Sequence, residues 1–481
     1  MSSLTVARRC LLPLTAAILM SQSALAQLYV PSHQYPTIED AVEKAGNGAT
    51  IIIAPGTYVP AYTLNPLGKN LKFKGAVDGS GNPATVISGA NVRPVFTLYS
   101  GETSQTSFEN LVITRGYNGN GGGMFLEDAS PVLINCVFVD NHARFYGGGA
   151  YVSFNSEPHF ESCQFIFNDA GGTAGAVQNA HSSASYSNCL FHGNSSGGEG
   201  GAMRTMYGSV ELWNCSFNQN EAGAVGGALQ IGHSSALLTN CIFTNNESGS
   251  NGGAVFSDHS ETAIRNCTLN GNSAEWRGGG LYSNNDVDIT VENSSIANNF
   301  AKSNGGGFYN VLSEPVFISS NVNNNVSLML GGGIYSAGGH LELKACDVSS
   351  NESTVSGGGL YIHEGDASLF GSAVQSNLAP VGGGITVGSI STLELTQSNV
   401  CDNSLTQIEG TWIDNGLNCV TQQCSSCACI ADLNGDGEVN GTDLVQLLSG
   451  WGTPNGDLDG NGTVDSGDLT ILLSTWGPCG P

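Results

Sequence analysis

Eleven times between residues 136 and 403 an asparagine stands five residues after a cysteine or a serine, and the unit recurs every 26 or 27 residues. The first series is Cys136, Cys163, Cys189, Cys215, Cys241 and Cys267, continued by Ser294, Ser320, Cys346, Ser372 and Ser398. The second is Asn141, Asn168, Asn194, Asn220, Asn246, Asn272, Asn299, Asn325, Asn351, Asn377 and Asn403. Glycine runs such as Gly147-Gly148-Gly149, Gly226-Gly227 and Gly305-Gly306-Gly307 follow at the same interval. A fixed period in this range specifies a solenoid or an array, and local texture decides which. Short β-rich pieces such as Val132-Leu133-Ile134 alternate with Asn and Gly punctuation, without helical periodicity. The expected fold is all-β, a right-handed single-stranded parallel β-helix with 26-residue coils.

In such a stack identical positions lie about 4.8 Å apart. The asparagines are expected in left-handed bends, each bonded to its copies above and below. Stacked cysteines have Cβ atoms too far apart for the ~3.8 Å that a disulfide prefers, so they are expected to be buried free thiols. Two further series are less regular. Asn155, His181, Tyr207, His233, His259 and Asp286 place two imidazoles on adjacent coils with Asp258 and Asp286 nearby, a set that reads either as an exposed polar loop or as a divalent-metal site. Tyr282, Tyr309, Tyr335 and Tyr361 form a ladder that on the outside would be a sugar-stacking strip, but its alignment with Val177, Met203, Leu229 and Val255 favours an inward aromatic stack.

A solenoid end exposes unpaired strands and needs a cover. Thr37-Ile38-Glu39-Asp40 reads as a capped helix start, with Ile38, Ala41, Val42 and Ala45 on one face. Ile51 to Tyr58 reads as the first buried strand. The order Tyr35-Pro36-Thr37-Ile38-Glu39-Asp40-Ala41-Val42, then Gly48-Ala49-Thr50-Ile51 and Ala54-Pro55-Gly56-Thr57-Tyr58, resembles the opening of pectin-lyase-like β-helix proteins. Phe138-Val139-Asp140-Asn141 with Gly148-Gly149-Ala150, repeated along the body, resembles the FxxN and GGA repeats of chlamydial polymorphic outer membrane proteins. Both resemblances imply the fold and leave activity open, because the β-helix carries lyases, hydrolases, esterases and adhesins alike.

Arg8-Arg9, an apolar run from Leu11 to Met20 and Ala24-Leu25-Ala26 form the pattern of a secretory signal peptide cleaved near Ala26. The arginine pair would also suit twin-arginine export. No later stretch has the ~20 apolar residues of a membrane span, so a soluble protein secreted to the exterior or the cell surface is expected. With 40 acidic residues against 14 basic ones the net charge is -26, which argues against nucleic acid and favours cations as partners. A glycosidase needs two facing carboxylates, and a lyase needs a basic residue beside a calcium-holding carboxylate cluster. Lysines and arginines are scattered along the repeat, and no Gly-His-Gly, Arg-x-Lys or Leu-Gly-Arg-Pro-Trp motif occurs. No catalytic residue is assigned.

Beyond the cysteine-rich stretch from Cys419 to Cys429 the texture changes. Asp432, Asn434, Asp436, Asn440 and Asp443 put oxygens at positions 1, 3, 5, 9 and 12 of a loop, with Glu438 offering its main-chain carbonyl at position 7. Twenty-five residues on, Asp457, Asp459, Asn461, Asp465 and Asp468, with Thr463 at position 7, repeat the arrangement. The spacing wraps oxygen ligands round one calcium ion per loop, two ions in all. Each loop leads into one apolar helix ending at Trp451-Gly452 or Trp476-Gly477. One helix per loop, with Asp at position 12, resembles the duplicated repeat of type I dockerins over residues 432–477. That resemblance implies a cohesin-like partner. Gly441-Thr442 and Ser466-Gly467, at positions 10 and 11, depart from the Ser/Thr pairs usual there and speak against a standard cohesin.

Cys424-x-x-Cys427 could hold zinc, but secretion favours disulfides, and a bridge from Cys427 or Cys429 to Cys479 would clip the module's ends together. The expected organisation is a signal peptide over 1–26, a β-helix over 27–415, a cysteine-rich linker over 416–430 and a dockerin-like module over 431–481. The leading functional expectation is a non-catalytic surface or matrix protein, with the β-helix as stalk, adhesive face or glycan-associating surface and the module docking it to another extracellular protein. The alternative is an extracellular polysaccharide lyase or glycoside hydrolase.

Overall fold

The computed structural model describes residues 26–424, 431–459 and 461–478. The stretch ahead of Ala26 that is expected to be a signal peptide and the expected bridge from Cys427 or Cys429 to Cys479 lie outside the described residues. The chain winds into a right-handed parallel solenoid of about 15 turns. A central coil has four strands, Ser209–Trp213, Ser216–Asn218, Glu221–Ala222 and Leu229–Gly232. Stacked coils build these into parallel sheets of 16, 15, 10 and 13 strands respectively. Equivalent residues pair from coil to coil: Phe191 pairs with Phe217 and Phe217 with Phe243, and their buried rings stack 4.4 and 4.7 Å apart.

Each corner of this coil is turned by one residue in the left-handed region, Asn214, Gln219, Gly226 and His233, with φ between 47° and 68°. The ladder asparagines are not themselves the left-handed residues, contrary to expectation. Gln219 takes the bend, and Asn220 behind it turns its side chain into the core, as Cys215 does behind Asn214. A single left-handed residue reverses the alternation of side chains, so the next side chain points inward.

The hydrogen-bonded column is otherwise as expected. Asn246 Nδ2 donates to Asn272 Oδ1 at 2.9 Å and to the Phe217 carbonyl at 3.1 Å. Its Oδ1 accepts from the main-chain N and the Nδ2 of Asn220 at 3.0 and 2.9 Å. At the far end Gln407 Oε1 takes the place of a further asparagine, accepting from N and Nδ2 of Asn403 at 3.1 and 2.9 Å. The ladder cysteines are buried free thiols. Cys241 Sγ donates to the Leu212 and Thr239 carbonyls, and its hydrogen bond with the Cys215 thiol, together with burial, pushes it up to about 12. Ser320 makes both carbonyl bonds from the same place, to Val291 and Ile318, and Ser294 makes the one two residues back, to Glu292, which is why serine substitutes for cysteine in this series.

Helix α1, Ile38–Lys44, carries the expected capping box, Thr37 Oγ1 accepting from Asp40 N at 3.1 Å and Asp40 Oδ2 from Thr37 N at 3.3 Å. Ile38, Ala41 and Val42 are buried in the first coils. The stretch expected as one opening strand is two, Thr50–Ile53 and Gly56–Tyr58, because the chain turns a corner at Ala54-Pro55 and the two pieces join different sheets. Gln27–Val30 precedes both and pairs with Thr50–Ile53. At the other end the stack continues through Cys419–Thr421, paired with Asn399–Cys401, so the cysteine-rich segment begins as the last coil. A disulfide joins Cys401 to Cys424, with Cα atoms 5.0 Å apart. That pairing removes Cys424 from any zinc site with Cys427. Among the described residues no helix is long and apolar enough to cross a membrane.

Candidate metal centres

The C-terminal module is built round α2, Gly441–Ser449, and α3, Ser466–Ser474. Asn440 and Asp465, at position 9 of their loops, are the helix N-caps, and each forms a capping box with the position-12 carboxylate, Asp443 or Asp468. The residue that should close the loop on an ion thus also starts the helix. Both position-12 carboxylates are fully buried. Asp443 accepts from Asn434 N at 3.2 Å and Asn440 N at 2.9 Å, and Asp468 from Leu458 N at 2.6 Å, Asp459 N at 3.0 Å and Asp465 N at 2.7 Å. Burial alone would push these carboxyls up, but the amide donors outweigh it and hold both below the usual carboxylate range.

Asp432 draws the first loop round itself, accepting from Gly435 N and Gly437 N at 2.8 and 2.7 Å, and Asp457 accepts from Gly462 N at 2.7 Å. Asn434 Oδ1 takes the Asp436 amide at 2.8 Å and Asn461 Oδ1 the Thr463 amide at 2.9 Å. One carboxylate oxygen from each of Asp432, Asp436 and Asp443 lies within 4.8 Å of the others, and the same holds for Asp457, Asp459 and Asp468. No Lys, Arg or His follows His363 in the sequence, so no basic side chain of the module balances this charge. Each is an all-oxygen set of like charges, a donor chemistry that fits calcium.

Each loop is also latched to the exit of the opposite helix. Glu438–Val439 of the first loop pairs with Gly477–Pro478 after α3, and Val464 of the second bridges Trp451 after α2. Val439 and Val464 are buried in a small core with Ala431, Leu447, Leu458 and Leu472. A change of shape in one loop is therefore felt where the other repeat ends.

On the β-helix, His233, Asp258 and His259 come together as expected and Asp286 does not. Asp286 belongs to the inward series one position along, its Oδ1 accepting from Ser260 N at 2.9 Å and its Oδ2 from Ser283 Oγ at 2.7 Å. Burial pushes its carboxyl up to about 6. A raised carboxyl favours the folded state while protonated, so this contribution is present below the ordinary pKa near 4 and is lost as pH rises through about 6. Asp286→Asn keeps an acceptor for Ser260 and removes the charge. It is expected to gain about 1–3 kcal/mol of stability at pH 7 over the wild type and nothing at pH 4, which denaturant unfolding at the two pH values would measure. An equal gain at both would show that the charge is not the cause.

The tyrosine series is corrected as well. Tyr282 pairs with Phe256, not Val255, and the inward position belongs to Leu281, Phe308, Ile334 and Leu360. The tyrosines lie on the outer side of the strand in a cluster separate from the main core. They stack ring on ring at 5.0, 4.8 and 5.4 Å with planes within 7°, and the Arg277 guanidinium lies 5.1 Å from the Tyr309 ring. Rings that cover one another's faces offer no flat surface to a sugar.

The family model of the Chlamydia polymorphic membrane protein repeat matches residues 240–258. No curated protein matches the sequence. Among solved structures, tailspike protein 3 of bacteriophage CBA120 is 12% identical with a TM-score of 0.40 over 79% of this chain, which spans 58% of the tailspike's own length. The A-module of a mannuronan C-5 epimerase of Azotobacter vinelandii is 13% identical with a TM-score of 0.38, over 75% of this chain and 92% of that one. A surface adhesin of Streptococcus pneumoniae is 12% identical with a TM-score of 0.27, over 80% and 86%. The chain is a right-handed parallel β-solenoid carrying one match to the polymorphic membrane protein repeat.

Proposed function

We propose that this is a secreted or cell-surface β-helix protein that docks to another extracellular component through a calcium-binding, dockerin-like module, after removal of a signal peptide near Ala26. The convergence of three carboxylates in each C-terminal loop, with no basic side chain in the module, carries the reading. The β-helix serves as a rigid stalk or adhesive face. The two helices leave Val445, Leu448 and Leu473 exposed, and Trp451 and Trp476 at their ends are exposed too, which gives the module apolar side chains for a partner to cover.

Calorimetric titration of the full-length protein with calcium chloride is expected to fill two sites, and Asp443→Asn to remove one and weaken the other through the latch at Glu438–Val439. Two unchanged sites in the Asp443→Asn, Asp468→Asn double variant would overturn it. The reading assigns no chemistry to the β-helix. New reducing ends or unsaturated products on incubation with uronic-acid and neutral glycans would refute that part.

A further inference from the structure

His233 and His259 stand at the same left-handed corner of successive coils, with φ of 47° and 49°. Each is pinned through its own amide, His233 N donating to the Asp258 carbonyl at 3.0 Å and His259 N to that of Asn284 at 2.9 Å. The rings stack with centroids 5.0 Å apart. Asp258, the last residue of the strand Val255–Asp258, brings Oδ1 to 3.0 Å from His259 Nδ1. Asn284 Nδ2 donates to the same oxygen at 2.5 Å and so orients the carboxylate from the next coil. One ligand atom each from His233, Asp258 and His259 falls within a mutual 4.8 Å.

We infer that these three side chains bind one divalent transition-metal ion of the zinc class, clamping two neighbouring coils from outside. Two imidazoles and one carboxylate are a nitrogen-rich donor set, which suits zinc and not calcium. Ligands about 2.0–2.2 Å from a tetrahedral ion lie about 3.4 Å from one another, so closing the site takes side-chain movements of about 1 Å. His259 and Asp258, with 48% and 25% of their side-chain surface exposed, have room for that. The fourth position faces solvent and takes a water or an outside carboxylate. Nowhere else on this corner ladder do two imidazoles meet a carboxylate, since Tyr207 stands between His181 and His233, 5.0 and 5.2 Å from each. The net charge of -26 enriches cations near the surface. The site shares no residue with the C-terminal loops, and the inference stands or falls independently of the calcium reading.

The test is a calorimetric titration of the full-length protein with zinc chloride, calcium being held in excess so that the C-terminal loops are not competing. The wild type is expected to take up one zinc ion at this site with micromolar or tighter affinity, and cobalt(II) to give the visible absorption of a tetrahedral centre. His233→Asn and His259→Asn preserve the corner, because Asn285 occupies it one coil further on. Each is expected to weaken binding about tenfold or more, with the thermal midpoint in the absence of zinc unchanged. His340→Ala, whose imidazole bonds Ser368 elsewhere on the helix, should bind as the wild type does. No zinc uptake by the wild type, or undiminished uptake by the His233→Asn, His259→Asn double variant, overturns the assignment.

Discussion

Chelating calcium from the full-length protein is expected to melt the C-terminal module while the β-helix stays folded. The module's buried apolar core is six side chains, Ala431, Val439, Leu447, Leu458, Val464 and Leu472, too few to make about 50 residues stable without help. Against that core stand Asp432, Asp436, Glu438 and Asp443 in one loop and Asp457, Asp459, Asp465 and Asp468 in the other. Burial and the neighbouring carboxylates Asp468 and Asp457 push Asp459 up, a sign of the repulsion that folding has to overcome. An ion at a thousand times its dissociation constant adds about 4 kcal/mol, so two filled sites add about 8 kcal/mol, comparable with the whole stability of a small domain. The β-helix has no comparable dependence, because its column of asparagines and its continuous sheets are complete without an ion.

Calorimetry should show two transitions in calcium, and the module's should disappear or drop by tens of degrees in chelator. Trp451 and Trp476 report on it by fluorescence. A module transition at one temperature in both conditions would mean that the loops hold no functional calcium.

The 26-residue period makes the architecture legible, since it aligns one coil with the next from the order of residues alone. It does not show where a 27-residue coil carries its extra residue. In the coil that runs from Cys267 to Ser294, His259 corresponds to Asn285 and Ser260 to Asp286, whereas Glu261 pairs with Asp288. The insertion is therefore Val287, which is 74% exposed. Placing it ahead of Tyr282 assigns Asp286 to the histidine corner and Tyr282 to the Val255 position. A slip of one residue moves a side chain to the opposite face of a strand, so both errors exchange inside for outside. The C-terminal acidic loops escape this ambiguity because their carboxylates are local in sequence. The pairing of Cys401 is hidden for a related reason: it stands outside the cysteine series, whose place in that coil belongs to Ser398, and a cysteine off the ladder is free to reach a partner such as Cys424.

Asn246→Ala is expected to be the most damaging single change in the body of the β-helix. It removes four hydrogen bonds, two donated by Asn246 Nδ2 to Asn272 and Phe217 and two accepted from Asn220. The main-chain amide of Asn220, fully enclosed, loses its acceptor, and the Phe217 carbonyl loses a donor. Leaving a buried polar group unpaired costs about 1–3 kcal/mol, so the two together cost about 2–6 kcal/mol. For a body of this length that lowers the thermal midpoint by about 4 °C. Because each coil contacts only its neighbours, the break should also loosen the coupling between the halves and broaden the transition. Gln407→Ala, which removes the terminal cap from Asn403, disturbs only the last coil and should cost less. Thermal unfolding of the two variants beside the wild type decides the matter: an unchanged midpoint for Asn246→Ala, or a larger loss for Gln407→Ala, would show that the column follows the fold and does not hold it.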